Sequence, residues 1–182
     1  MKYLSRISKF NQALCLSFLL LAATNVPLFA QAGLLAAWTN VGSVGTVDEA
    51  DTAKVGFVSS QAYLKAGFNS AVIRYNVTAT DGLFVGPNMK LTARFLKPNQ
   101  DTRVVVRVFR HELATGAVVL LATLDSNAFA PAAAFQAQRV PFLPVAAPDF
   151  NFARASYFIE VSLIRTAAAG DPRLSMLQIT TS

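Results

Sequence analysis

The sequence predicts an all-β protein: an antiparallel β-sandwich, jelly-roll-like, with about eight to ten strands. Three observations lead to this expectation. Apolar and polar residues alternate with a period of two over many short segments, as in half-buried strands. β-branched and aromatic residues dominate these segments. Turn-forming residues recur about every ten residues, and no segment has the periodicity of an amphipathic helix. A closed β-barrel is the alternative architecture.

The clearest alternation lies in four segments, where the pattern assigns a core-facing side to each strand. These core-facing residues are Ile73, Tyr75 and Val77, then Leu91, Ala93 and Phe95, then Val104, Val106 and Val108, and finally Tyr157, Ile159, Val161 and Leu163.

The strands are expected at residues 34–38, 54–59, 61–66, 70–79, 89–97, 102–113, 117–125, 154–165 and 173–181, with a weaker candidate at 135–141. Turn residues at 98–101 and 114–116 predict a three-stranded meander over residues 90–124. Gly116 suits the left-handed position of a three-residue hairpin loop.

Residues 126–153 are unusual because they contain four prolines and five phenylalanines. Proline is unfavourable in a central strand, so we expect a long and mostly irregular connection. The favoured interpretation is that the phenylalanines close one end of the sandwich. The alternatives are an aromatic wall beside a ligand cleft, or a disordered segment.

The N-terminus has the three parts of a secretory signal peptide. Lys2, Arg6 and Lys9 precede an apolar run at residues 13–23, and residues 30–32 form a small-x-small cleavage site. The run is shorter than the about 20 residues that a membrane-spanning helix needs. We therefore expect a signal peptide at 1–32, a single sandwich domain at 33–182, and export to the periplasm or the extracellular space.

The composition limits the chemistry of the predicted domain. Three of the 16 basic residues and none of the 10 acidic residues precede Gly33, so its net charge is +3. This charge does not favour nucleic acid as a partner. The one cysteine, Cys15, lies in the leader, so no disulfide is expected. No later segment is apolar enough to predict stable membrane insertion of the mature chain.

Most catalytic constellations are disfavoured by the residues present. His111 is the one histidine, and no G-x-S-x-G sequence accompanies it. One histidine and no mature cysteine also disfavour a zinc site, because zinc in proteins is bound mainly by Cys and His. No catalytic residue is therefore assigned and no cofactor is expected, apart from calcium.

Asp48, Glu49 and Asp51 form the densest acidic cluster of the domain. Calcium prefers oxygen ligands, so these three side chains are the candidates for a structural calcium site. The spaced acidic pattern of a dedicated calcium loop is absent, and an exposed turn is the alternative interpretation.

Four arginines are predicted on the outward faces of three strands: Arg74, Arg94, Arg103 and Arg107. If those strands are neighbours, the guanidinium groups form a patch that suits an anionic polysaccharide or a phosphate. The alternative is a solvated face in which each arginine pairs with an acidic residue.

Several outward positions are apolar, which keeps self-association open as a function. They are Val72, Leu96, Val105, Phe109, Phe158 and Ile164.

The leading functional hypothesis is an exported bacterial β-sandwich without catalytic activity that binds a ligand, with carbohydrate as the first candidate. Its partner would be a polysaccharide or a cell-surface component. This hypothesis rests on analogy between folds, which does not establish function. The first alternative is a structural, self-assembling subunit of the cell surface. The second is a glycoside hydrolase that uses a carboxylate pair, for which Glu112 and Glu160 are the candidates.

Overall fold

Antiparallel strands form two packed sheets in the computed structural model, which describes residues 37–79, 89–143 and 150–181. The predicted signal peptide at 1–32 lies outside the described residues. The described residues belong to one unit, Leu35–Ser182. The β-sandwich prediction is confirmed, and the sheets do not close into a barrel. Within the described residues, no helix has the length and apolar character needed to cross a bilayer.

Eleven strands occur in the described parts of the chain. They are β1 (Ala37–Val41), β2 (Thr46–Val47), β3 (Val55–Val58), β4 (Gln61–Leu64), β5 (Ser70–Val77), β6 (Met89–Lys97), β7 (Thr102–Glu112), β8 (Val118–Asp125), β9 (Ala132–Pro141), β10 (Ala155–Arg165) and β11 (Arg173–Thr181). Three single-turn 3-10 helices accompany them, at Gly42–Val44, Glu49–Asp51 and Ser126–Ala128.

The six-stranded sheet has the order β3-β4-β11-β6-β9, with β1 also paired to β11. The five-stranded sheet has the order β2-β5-β10-β7-β8. The chain crosses repeatedly between the sheets, so strands that are consecutive in sequence often lie in different layers. This jelly-roll-like connectivity brings β5, β10 and β7 together, although β10 is separated in sequence from both.

The core consists of the side chains that alternation predicted to face inward. Ile73, Leu91, Val106 and Ile159 are fully buried between the sheets, as are most of their alternating neighbours. Burial of such apolar surface is the main stabilising contribution to the fold.

The predicted meander over residues 90–124 is wrong. Strand β6 lies in the six-stranded sheet between β11 and β9, whereas β7 and β8 pair with each other in the five-stranded sheet. The turn at 98–101 therefore carries the chain from one layer to the other. The β7–β8 hairpin itself is correct, and Gly116 has the expected left-handed backbone, with φ 68°.

The described parts of the segment 126–153, residues 126–143 and 150–153, contain more regular structure than expected. They contain β9, which pairs with β6 at an edge of the six-stranded sheet and ends at Pro141. An edge position tolerates proline because one side of the strand has no ladder to complete. Phe142 and Phe150 are buried in the core, with ring centroids 5.9 Å apart, as expected for phenylalanines that close the sandwich.

Candidate functional site

The outer face of the five-stranded sheet carries a row of alternating charges. Glu160 on β10 is directly opposite Arg74 on β5 and directly opposite Arg107 on β7. Its carboxylate lies 3.5 Å from Nη2 of Arg74 and 3.8 Å from Nη1 of Arg107. We call these three residues the charged row. One carboxylate thus serves two guanidinium groups.

Arg74 has a second and closer acidic partner. Its Nη1 lies 2.6 Å from both carboxylate oxygens of Asp48. This hydrogen bond raises the pKa of the Arg74 guanidinium above its ordinary value. Arg103, further along β7, is also paired: its Nε donates to Asp125 at 3.0 Å. The Arg103 hydrogen bond is the main reason that the pKa of the Asp125 carboxyl is lowered.

The structure does not bring Arg94 together with the other three arginines. Arg94 lies on β6, in the six-stranded sheet. Its Nη1 donates to Oγ of Ser175 at 3.1 Å, and its guanidinium carbon lies 4.8 Å from the ring centroid of Phe135. The four-arginine patch expected from strand alternation is therefore divided between the two sheets.

An aromatic strip lies beside the charged row. Phe109 on β7 and Phe158 on β10 are directly opposite each other, and their rings stack with centroids 5.2 Å apart and an interplanar angle of 23°. Asn76 continues this line on β5 and Leu120 continues it on β8. We define the aromatic strip as Asn76, Phe158, Phe109 and Leu120.

A β-bulge sets the end of the aromatic strip. The register of β7 and β8 shifts between Val108 and Phe109, so Val108 faces Ala122 while Phe109 faces Leu120. Because β8 accommodates one extra residue, Leu121 is buried and Leu120 is exposed. Bulges re-aim side chains in this way, and this one extends the apolar line to the edge of the sheet.

Polar side chains flank the strip on its other side as well. Ser156 on β10 faces His111 on β7, and both are exposed. His111 in turn faces Val118 on β8. The aromatic strip therefore lies between the charged row and a second line that contains a hydroxyl and an imidazole.

Two members of the acidic cluster Asp48, Glu49 and Asp51 accept hydrogen bonds from basic side chains or a backbone amide. Asp48 pairs with Arg74, and Oδ1 of Asp51 accepts from Nζ of Lys54 at 2.6 Å. The other Asp51 oxygen accepts from the Val72 amide at 2.8 Å. These contacts, that from Lys54 first, lower the pKa of the Asp51 carboxyl.

Across the described ranges, no group of three or more His, Cys, Asp or Glu side chains is placed to hold a metal ion. Asp48, Glu49 and Asp51 are therefore not gathered around one point in this arrangement, and calcium binding there stays a prediction. Two of the three expected ligands are already satisfied, and a cation there would compete with Arg74 and Lys54.

The two carboxylates considered for hydrolysis do not face each other. Glu160 lies on the outer face, whereas Glu112 lies opposite the inward-facing Ala155 and pairs with Arg110, whose Nε is 2.7 Å away. Glu112 and Arg110 line an open cleft at the end of the sandwich with Asn151, Arg154 and Tyr157. Two carboxylates on opposite sides of one sheet cannot flank a single glycosidic bond.

No protein-family model matches the chain, and no curated protein matches it. Several solved structures are similar in fold. One is the CBM36-1 domain of a multidomain xylanase from the hindgut metagenome of Trinervitermes trinervoides, with 14% identity and a TM-score of 0.46. That match covers 81% of this chain and 98% of that domain.

Two further structures are similar to a comparable degree. The C-terminal CBM6 of a marine laminarinase from Zobellia galactanivorans has 10% identity and a TM-score of 0.44, over 80% of this chain and 100% of that one. A xylan-binding module, CBM15, has 7% identity and a TM-score of 0.44, over 80% and 90% of the two chains. At these identities the likeness concerns the β-sandwich fold, and no residue role is carried over.

Proposed function

We propose that the protein is a non-catalytic glycan-binding module whose ligand lies along the aromatic strip. The observation that carries this proposal is the position of the stacked Phe109–Phe158 pair between two lines of hydrogen-bonding side chains. Export by way of residues 1–32, to the periplasm or beyond the cell, is part of the proposal.

The chemistry of a sugar matches this arrangement. A pyranose ring has apolar C–H faces and a polar rim of hydroxyl groups, so it needs an apolar surface with polar groups at its edges. Aromatic side chains provide large, rigid apolar surface, and a few placed polar groups fix a ligand's orientation. The charged row supplies such groups on one side of the strip, and Ser156 and His111 supply them on the other.

The charge balance of the face favours an uncharged glycan. Arg74 pairs closely with Asp48 and Arg103 with Asp125. Glu160 lies beside Arg74 and Arg107 and compensates part of their remaining positive charge. Arg107 is the member of the charged row with the longest contact, 3.8 Å to Glu160, and its side chain is 42% exposed. A guanidinium group has five N–H donors, so Arg107 can donate to sugar hydroxyls while it remains beside Glu160.

The proposal is tested by screening the purified protein against an array of neutral and acidic glycans. The double variant Phe109→Ala/Phe158→Ala is expected to weaken binding of the neutral glycan recognised by the wild type by about tenfold or more. Phe109→Leu, which keeps apolar bulk without a ring, separates stacking from folding. Circular dichroism and thermal unfolding check that each variant is folded.

Phe57→Ala is the matched control, because Phe57 is exposed on β3 of the other sheet. It is expected to bind like the wild type. Binding is also expected to be the same with calcium and with chelator, since Asp48 and Asp51 are engaged by other groups. Unchanged affinity in the folded Phe109 and Phe158 variants would overturn the proposal.

Self-association is the second candidate function, favoured by a specific feature of the same face. The aromatic strip reaches the edge strand β8, where Leu120 and Val118 are exposed, and Leu113 in the adjoining hairpin is 80% exposed. An apolar line that ends at an edge strand can pair with a second copy. Light scattering over a hundredfold range of protein concentration tests this candidate, and a constant monomer mass would exclude it.

A further inference from the structure

The two sheets differ in how their charges are balanced. The described strands of the six-stranded sheet contain no aspartate or glutamate, whereas the five-stranded sheet contains Glu112, Asp125 and Glu160. The six-stranded sheet nevertheless carries four outward-facing basic side chains. Arg173 at the start of β11 pairs with Asp171 just before the strand, which leaves Lys90, Arg94 and Arg139.

The register places these three cations close together. Thr92 on β6 is directly opposite Arg139 on β9, and Lys90 and Arg94 lie two residues to either side of Thr92. Diagonal neighbours of this kind have Cβ atoms within about 7–8 Å. The buried Leu91 and Ala93 alternate with them, which fixes Lys90 and Arg94 on the outer face. We call Lys90, Arg94 and Arg139 the basic cluster.

No carboxylate pairs with the basic cluster in the described part of the chain. The ion pairs there involve other cations: Arg74, Arg103 and Arg107 on the opposite face, Arg173 on β11, and Lys54 and Arg110. The contacts of Arg94 are to the Ser175 hydroxyl and the Phe135 ring, both uncharged. These contacts orient the Arg94 guanidinium without neutralising it.

A line of uncharged polar groups adjoins the basic cluster. Arg139, Thr92, Gln178 and Thr39 are consecutive partners across β9, β6, β11 and β1. Nε2 of Gln178 donates to Oγ1 of Thr39 at 3.3 Å. The face thus combines unneutralised cations with the Thr39 hydroxyl and the Gln178 amide, which can hydrogen-bond to a neutral part of the same ligand.

We propose that the outer face of the six-stranded sheet binds an anionic polysaccharide, with the basic cluster contacting its carboxylate or sulfate groups. The half-buried Gln178 and the exposed Thr39 contact its hydroxyls, whereas Thr92, which lies between them and the basic cluster, is buried. This is a second face, separate from the aromatic strip, and it extends the proposed function from neutral to acidic glycans. A single-stranded nucleic acid is less suited, because base stacking needs open rings and Phe135 is covered by Arg94.

The test is affinity electrophoresis of the full chain with polygalacturonate, dextran sulfate and uncharged dextran. The wild type is expected to bind the two polyanions, and the binding should weaken between 50 and 300 mM NaCl because exposed charges are screened, with a Debye length of about 10 Å at 0.1 M. The variant Lys90→Gln/Arg94→Gln/Arg139→Gln is expected to weaken polyanion binding by about tenfold or more.

The matched control removes the same amount of charge away from the six-stranded face: Arg103→Gln on the outer face of the five-stranded sheet, with Arg110→Gln and Arg154→Gln beside the cleft at the end of the sandwich. It is expected to keep polyanion binding within about twofold of the wild type. Equal loss in both triple variants would overturn the proposal in favour of unspecific attraction by net charge. Equal or tighter binding of a single-stranded DNA oligonucleotide of the same charge would overturn the choice of polysaccharide.

The same proteins separate this proposal from the proposed function. Phe109→Ala/Phe158→Ala is expected to keep polyanion binding, whereas the basic-cluster variant is expected to keep binding of the neutral glycan. Failure of either expectation identifies which of the two faces has been assigned wrongly.

Discussion

Tyr75 donates a hydrogen bond from its hydroxyl to the carbonyl oxygen of Gly42, 2.7 Å away in the interior of the sandwich. Tyr75 belongs to β5 of the five-stranded sheet, and Gly42 lies where the chain leaves β1 of the other sheet. Burial raises the pKa of the Tyr75 hydroxyl, so it stays a donor under all ordinary conditions. The hydrogen bond therefore links the connection between β1 and β2, where the chain first passes from one sheet to the other, to β5 of the five-stranded sheet.

Tyr75→Phe is expected to lower the free energy of unfolding by about 1–2 kcal/mol, because it leaves a buried carbonyl without its donor. Urea denaturation of the purified protein measures this change. Tyr63→Phe removes the equivalent hydroxyl from a half-buried ring on β4. It is expected to lower the free energy of unfolding by clearly less than Tyr75→Phe does. Equal effects of the two substitutions would show that the Tyr75–Gly42 bond has no special importance.

Gly42→Ala is expected to destabilise the fold by about 2–3 kcal/mol, since a Cβ atom there would collide with the carbonyl oxygen of Leu174. A Cβ atom at Gly116 would contact no neighbouring atom. Gly116→Ala is therefore expected to lower the free energy of unfolding by only about 1–2 kcal/mol, through the strain of alanine in a left-handed backbone conformation. Thermal unfolding of both variants should therefore rank Gly42→Ala as the more damaging. The reverse order would contradict the close packing of the crossover against β11.

Arg165→Lys is expected to destabilise the protein by about 2–3 kcal/mol although the charge is kept. The buried Arg165 guanidinium donates to the carbonyl oxygens of Gly170, Lys65 and Phe68, at 2.9, 2.7 and 2.8 Å. A lysine ammonium cannot reproduce this planar set of donors. Arg154→Lys, at an exposed position, is the control and should be nearly neutral in chemical denaturation.

The stability of the fold is expected to fall in acid through Asp51 and Asp125. Hydrogen bonds from Lys54 and Arg103 respectively are the largest causes of a lowered pKa at these carboxyls, so their charged forms are favoured in the folded state. Their contribution is complete above the ordinary carboxyl pKa of about 4 and is lost as the pH falls through the lowered folded values.

The variant Asp51→Asn/Asp125→Asn should therefore show a smaller difference in unfolding free energy between neutral and acidic solution than the wild type. Urea titrations at about pH 6 and about pH 3 measure that difference. Identical pH dependence of the unfolding free energy in the two proteins would show that Asp51 and Asp125 do not cause the loss of stability in acid.

Strand alternation predicted the core well because each side of a strand is decided locally by its own residues. Tyr75, Phe95 and Ile159 were all predicted inward, and all three are buried. The same reasoning could not assign strands to sheets. The turn at 98–101 has the chemistry of a hairpin turn, and nothing in it distinguishes a hairpin from a crossover between layers.

The candidate site depended on relationships that alternation does not contain. The outward direction of Arg74, Arg107, Phe109 and Phe158 was predicted correctly. The position of Glu160 between two arginines was not predictable in this way. It depends on the strand order, which places β10 between β5 and β7, and on the register of both pairings. The sequence also does not reveal that Arg74 reaches Asp48 and that the Val72 amide reaches Asp51, so the contacts of the acidic cluster Asp48, Glu49 and Asp51 are known from the structure alone.

The unequal neutralisation of the two outer faces gives the sandwich an electric dipole across its thickness. Lys90, Arg94 and Arg139 lie at the positive pole, and the opposite face is close to neutral. In the field of an anionic surface such a molecule experiences a torque, which turns the six-stranded sheet towards that surface before any contact is made. The aromatic strip then points away from the surface and stays open to solvent.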